Sequence, residues 1–219
     1  MKKITTILFD FDGTLINTDP VIIESFKHAF RTYGVELPES RIIASMGGVL
    51  EGDVALMCSE YGLDIDPAVV VKEYRKHHDE IFFDYIAMFD GMPEALEELK
   101  SHGYTLAIVT ARRRESTLLG LEKFGVTGLF DRVFANGESD YVKPDPRLAD
   151  QILSQLDRKK EETVIVGDSR YDVSFARNSS VISILAGWSR ADVLNNLGGV
   201  RPDFVLASPS DILPTLESL

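Results

Sequence analysis

Two carboxylates spaced two residues apart, delivered by an apolar run, are the first chemistry-bearing feature of this 219-residue chain. Ile4-Thr5-Thr6-Ile7-Leu8-Phe9 leads straight into Asp10-Phe11-Asp12-Gly13-Thr14-Leu15. A free aspartate titrates near about 3.9, so Asp10 is ionised at neutral pH and can serve as a nucleophile or a hard-cation ligand. Asp12 presents a second acid where the strand ends, as expected when one acid attacks and the other moves protons. Gly13 lets the backbone approach a ligand closely, and Thr14 adds a hydroxyl. The same residues also read as an ordinary polar turn, or as part of a calcium loop. A helix-flanked calcium loop, however, carries further oxygen ligands and a Glu at its twelfth position, whereas Leu15, Ile16, Val21 and Ile22 follow here.

Three further segments carry chemistry. Val109-Thr110-Ala111 closes a second apolar run, where the Thr110 hydroxyl and the backbone N–H groups about Thr110 and Ala111 suit an oxyanion. Lys143 lies in Tyr141-Val142-Lys143-Pro144-Asp145-Pro146, a single cation on a backbone stiffened by prolines, although alone it reads as an ordinary surface lysine. Gly167-Asp168-Ser169-Arg170-Tyr171-Asp172 holds two acids four apart, which share a face if a helix starts near Ser169. Taken singly, Asp168 fits a helix N-cap as well as a metal ligand. Arg112, Arg113 and Arg114 read as a solvated helix start, with Arg112 the first candidate to touch a distal anion of a substrate.

These residues need a scaffold that brings distant segments to one edge. Tyr104 to Thr110, Arg132 to Ala135, Thr163 to Gly167, Val181 to Leu185 and Phe204 to Leu206 are short, apolar runs bounded by Gly, Asp or Pro, as buried strands are. Helical patterns separate them: Pro93 to Lys100 opens with proline and acids and is followed by Gly103, and Leu148, Ile152 and Leu156 recur at helical spacing. The alternation predicts an α/β fold with a doubly wound, Rossmann-like parallel sheet, whose ligand crevice lies beyond the carboxyl ends of the strands. Residues 16–85 differ. Three apolar helical faces (Ile22, Phe26, Ala29, Phe30, Tyr33; Leu50, Val54, Met57, Tyr61; Val70, Tyr74, His77, Ile81) run without a strand signal. The expected organisation is an α/β core of residues 1–15 and 86–219 with a helical cap of residues 16–85, placed by its insertion point to exclude water and select substrate.

Composition narrows the function. With 44% apolar residues the chain supports a full core, and a net charge of −12 opposes nucleic-acid binding. An anionic substrate must then be drawn by local cations or a metal. The lone Cys58 allows no intramolecular disulfide and suits a reducing compartment. The apolar run before Asp10 is too short for a signal peptide, and no stretch approaches the roughly 20 apolar residues of a membrane span, so a cytoplasmic protein with no membrane partner is expected.

Taken in order, Asp-x-Asp-Gly-Thr, a strand-final Thr, Lys-Pro-x-Pro and Gly-Asp-Ser-x-x-Asp, with a helical module after the first, resemble the haloacid dehalogenase-like hydrolases, within them the phosphoglycolate phosphatase and pyrophosphatase-like branch with a small helical cap. The resemblance spans essentially the whole chain. It implies a Mg²⁺-dependent phosphatase of a small phosphorylated metabolite or of pyrophosphate, acting through an aspartyl-phosphate. It makes Asp10 the nucleophile and Asp12 the general acid and base. Thr110, Ala111 and Lys143 become phosphate holders. Asp10, the backbone carbonyl of Asp12 and Asp168 become magnesium ligands, with Asp172 a partner of Lys143 or of metal-bound water. As the family pattern is known, an acid at the Asp12 position favours phosphate esters or anhydrides over carbon–halogen or phosphonate cleavage. A phosphoglucomutase-like phosphotransferase uses the same acids, and a non-catalytic binding member would keep the same fold. One departure lies in Val173-Ser174-Phe175-Ala176-Arg177-Asn178-Ser179-Ser180, where the family's usual small-residue helix closes on Gly and Ser stands here instead.

Overall fold

A computed structural model of the chain describes residues 3–190 and 192–219. In chain order it contains β1 (Thr6–Phe9), β2 (Ile16–Asn17), α1 (Asp19–Arg31), α2 (Glu39–Ile43), α3 (Leu50–Glu60), α4 (Pro67–Tyr85), β3 (Ala87–Met88), α5 (Met92–Ser101), β4 (Thr105–Arg113), α6 (Arg114–Lys123), β5 (Arg132–Asn136), α7 (Pro146–Leu156), β6 (Thr163–Gly167), α8 (Arg170–Ser179), β7 (Ile182–Ala186), β8 (Phe204–Leu206) and α9 (Ile212–Glu217). Six strands form one parallel sheet in the order β5-β4-β1-β6-β7-β8, and β2 pairs with β3 separately.

The sheet is parallel because its central strand is apolar on both faces. Every residue of β1 is buried. Leu8 packs on one face with Leu148, Ala149, Ile152 and Leu153 of α7 and Phe175 and Ala176 of α8. Phe9 points to the other and meets the Phe130 ring edge-on at 6.4 Å. Buried side chains of this size contribute about 1.5–3 kcal/mol each, which favours the doubly covered arrangement over a half-solvated one.

Register fixes what the strand ends share. Phe9 aligns with Ile108 of β4 on one side and Val166 of β6 on the other. Asp10 and Asp168 therefore emerge at the carboxyl ends of neighbouring strands, beside Thr110, which stands two residues past Ile108 within β4. The sheet runs outward from β1 through β4 to β5 and, on the other side, through β6 to β8, so β1 stands at the topological switch point where such folds bind ligands.

Strand boundaries shift by a residue where helix endings claim the backbone. The Tyr104 N–H bonds to the Leu99 carbonyl and the Val181 N–H to that of Ala176, closing α5 and α8, so β4 and β7 begin one residue later than their apolar runs. Strand β4 also continues beyond Thr110 to Arg113, with an irregular register between Val109 and Arg113. The reading of Arg112 to Arg114 as a solvated helix start is thereby corrected: Arg112 and Arg113 are strand residues and α6 begins at Arg114.

The chain divides into two compact units, Met1–Asn17 with Met88–Leu219, and Thr18–Ala87. The second is wholly helical in its longer elements. Its core joins Phe26, Ala29 and Phe30 of α1 to Val54, Met57 and Cys58 of α3 and Val70, Val71 and Tyr74 of α4. Burial pushes the Cys58 thiol up. The inward stripe of α4 reads Val70, Tyr74, His78, Phe82, four apart, rather than through His77 and Ile81, which are only half-buried. His77 instead stacks on His28 of α1 with ring centroids 3.9 Å apart. No helix among the described residues is long and apolar enough to cross a membrane.

Candidate active site

Asp10 is the first residue past β1, and its N–H is held by the Val166 carbonyl at 2.8 Å, so its position is set by the sheet. Its carboxylate is buried and accepts a hydrogen bond at Oδ1 from Lys143 Nζ at 2.8 Å. The same ammonium donates to Asp172 Oδ1 at 2.6 Å. All three side chains are at most 5% exposed. Lys143 arrives on the loop before α7, which Asn178 of α8 braces by donating from Nδ2 to the Pro144 carbonyl at 2.9 Å.

Asp172 is held from both ends. Its Oδ2 accepts from the Ser169 N–H at 3.0 Å and from the Ser169 hydroxyl at 2.5 Å, while the Asp172 N–H bonds back to Ser169 Oγ at 3.3 Å. This reciprocal capping box starts α8. The capping role weighed for Asp168 thus belongs to Ser169. Asp168 is buried, and its Oδ2 accepts from the Ser189 hydroxyl at 2.8 Å and lies 3.3 Å from Arg190 Nη2.

Two glycines are demanded by this packing. Gly13 has φ +71°, and a Cβ there would stand 2.2 Å from Asp168 Oδ2. A Cβ on Gly167 would stand 2.3 Å from the Asp172 Cγ. Carboxylates at these positions occupy the space that a methyl group would fill.

The result is a cluster in which Asp10, Asp168 and Asp172 each offer an oxygen, all within 4.8 Å of one another and all buried. Three buried carboxylates against the Lys143 ammonium and the Arg190 guanidinium leave excess negative charge, and oxygen-only donors suit a hard divalent cation. The residues fit such an ion. The electrostatics agree: burial raises the Asp10 carboxyl well above the usual range, Lys143 opposes this, and Asp172, Asp168 and Asp12 add to it. Burial works against the Lys143 ammonium, but Asp10 and Asp172 outweigh it and hold the lysine charged.

Asp12 belongs to a different arrangement. Arg112 Nε donates to Oδ1 and Oδ2 of Asp12 at 3.0 Å each, and Nη2 donates to Oδ1 at 2.7 Å. The arginine side chain is 7% exposed and the aspartate 23%. The guanidinium also lies 5.5 Å from the Phe11 ring centroid. Thr110 is buried, and its hydroxyl oxygen accepts the Arg112 N–H at 3.1 Å; Ala111 lies between them in β4.

Of the residues singled out by sequence, Asp10, Lys143, Asp168 and Asp172 come together, Asp12 pairs with Arg112, and Thr110 and Ala111 lie within the adjacent strand β4, so Thr110 does not end its strand as its apolar run suggests. Ser169, Ser189 and Arg190 were missed as neighbours of the carboxylates, and Trp188, whose indole donates to the Thr14 carbonyl at 3.0 Å, ties the Asp-x-Asp-Gly-Thr turn to the loop after β7. Their one sequence signal is position: they follow strands that end at the ligand crevice.

The chain is similar to known proteins over nearly its whole length. The family model described as haloacid dehalogenase-like hydrolase matches residues 7–186. The chain is 34% identical over 215 residues to the pyrophosphatase PpaX of Halalkalibacterium halodurans, covering 96% of each chain. It is 32% identical over 221 residues to the pyrophosphatase PpaX of Bacillus cereus, covering 99% of this chain and 98% of that one. Among solved structures, a haloacid dehalogenase-like family hydrolase from Streptococcus pneumoniae superposes with a TM-score of 0.80 at 26% identity, covering 98% of this chain and 99% of its own.

Proposed function

Because the chain belongs to the haloacid dehalogenase-like hydrolase family, we propose that it is a Mg²⁺-dependent phosphatase that acts on a small phosphorylated metabolite or on pyrophosphate through an aspartyl-phosphate. The observation that carries this reading is the buried Lys143 ammonium shared between Asp10 and Asp172 at the end of the central strand. A carboxylate so fixed can neither swing to solvent nor lose its counter-charge, which suits an in-line nucleophile.

In the proposed reaction an Asp10 oxygen attacks phosphorus as the bond to the leaving oxygen breaks, and Asp12 gives that oxygen a proton. Asp12 then takes a proton from a water whose oxygen attacks the aspartyl-phosphate, releasing inorganic phosphate and restoring Asp10. The Thr110 hydroxyl, the Ala111 N–H and Lys143 hold the phosphoryl oxygens in place. Asp10, Asp168 and the Asp12 backbone carbonyl would hold Mg²⁺, which when bound offsets charge on the phosphoryl group. Asp172 fixes Lys143. The helical unit, inserted soon after Asp10 and Asp12, would serve as the lid, and a cytoplasmic location fits a small-metabolite substrate.

The test is a panel of phosphorylated metabolites and pyrophosphate assayed with Mg²⁺ and with chelator. Phosphate release from some members, abolished by chelator and restored by Mg²⁺, is expected. Full turnover in chelator would remove the cation from the reading, and no release across the panel would remove the phosphatase.

A further inference from the structure

Arg112 and Asp12 form a forked ion pair. Nε and Nη2 of the guanidinium commit both carboxylate oxygens, and the arginine side chain is almost fully covered. This rests on the phosphatase reading, in which Asp12 must turn an oxygen toward the leaving group. In the fork neither oxygen is disengaged. Turning either oxygen toward the leaving group breaks hydrogen bonds of the fork, and a group that opens the pair at least cost replaces those that the guanidinium gives up.

We propose that Arg112 is the receptor for a second anionic group carried by the leaving group of the substrate, and that by engaging it Arg112 releases Asp12 for proton transfer. The chemistry of the partner follows from the fork. A phosphate presents paired oxygens to a guanidinium as a carboxylate does, so a distal phosphate exchanges for Asp12 with no net loss of charge-assisted hydrogen bonds. No covalent bond changes in this step. The location follows as well. The Arg112 N–H is tied to the Thr110 hydroxyl two residues back, placing the guanidinium beside the proposed phosphate-holding residues of β4 and next to the acid that serves the leaving oxygen. The Phe11 ring at 5.5 Å gives the cation a second contact that persists when Asp12 departs. The favoured substrates are those in which a second anion sits close to the leaving oxygen, with inorganic pyrophosphate the simplest.

The experiment compares hydrolysis of pyrophosphate with that of p-nitrophenyl phosphate, whose leaving group bears no second anion, in the wild type, Arg112→Ala and Arg112→Lys, all with Mg²⁺. The ratio of kcat/KM for pyrophosphate to that for p-nitrophenyl phosphate is expected to fall about 100-fold in Arg112→Ala and about tenfold in Arg112→Lys, which keeps the charge but not the fork. Arg112→Lys also reports if the alanine variant is too unstable to assay. A ratio held within about twofold, including equal losses on both substrates, overturns the proposal. If the wild type hydrolyses neither compound, the phosphatase reading falls by itself and calorimetry decides about Arg112. In an Asp10→Asn background, adding Arg112→Ala should then weaken pyrophosphate binding about tenfold more than orthophosphate binding, and equal weakening of the two overturns the proposal.

Discussion

Asp10 and Asp12 are two residues apart, yet their surroundings differ in kind. Around Asp10, two further carboxylates and one ammonium are buried together, each side chain pinned by the sheet, the α8 capping box or the loop braced by Asn178. Asp12 is gripped by an arginine from the far end of β4, and the carboxylate keeps a 23% opening to solvent. The first arrangement suits a group that must not move, because displacing any member strands a buried charge. The second suits a group that must change partners, since water or a substrate anion can take over each half of the pair. Rigidity is thus invested in the proposed nucleophile and exchangeability in the proposed acid and base.

This contrast is breakable at Lys143. Lys143→Met leaves Asp10 and Asp172 without their shared ammonium, so the fold should lose about 3–5 kcal/mol in urea denaturation and phosphate release should fall by about a thousandfold or more. Arg112→Ala in the same denaturation assay should cost only about 1 kcal/mol, because Asp12 reaches water. Equal losses at the two sites would erase the distinction between them. Gly13→Ala sharpens the contrast from the metal side. Its Cβ would overlap Asp168 Oδ2 and its φ of +71° suits glycine, so about 1–3 kcal/mol of stability and about tenfold in apparent Mg²⁺ affinity should be lost, read from a Mg²⁺ activation titration. The smallest effect lies away from both acids. Ser180 closes α8 with φ 57°, a conformation that costs a side chain, so Ser180→Gly should gain about 0.5–1 kcal/mol while leaving turnover as it was.

That last position was visible in the sequence as a serine where glycine is common, and its left-handed backbone supplies the reason glycine suits it. The sheet was legible because buried parallel strands are continuous apolar runs, and Asp10 and Asp168 were legible because each follows such a run directly. The Arg112–Asp12 pair was only half legible. Three consecutive arginines look solvated by composition, and nothing local reveals that β4 carries the first two along the sheet edge or that a carboxylate 100 positions earlier awaits one of them. Likewise, Ser189 and Arg190 reach Asp168 only through the arrangement of β6 and β7, a long-range relation without a periodic signal. On α4 the inward stripe was misread by one position because apolar and aromatic residues crowd both candidate faces between Tyr74 and Phe83.

The central claim is that Asp10 is the atom donor to phosphorus, and the most direct measurement is intact-protein and peptide mass spectrometry after rapid acid quench of the enzyme during turnover with Mg²⁺. The account predicts one phosphoryl group on the peptide carrying Asp10, labile to hydroxylamine and absent from Asp10→Asn, whose phosphate release should fall by about a thousandfold or more while its melting curve stays cooperative. Turnover by Asp10→Asn near the wild-type rate, or a phosphoryl group trapped on another residue, would contradict it.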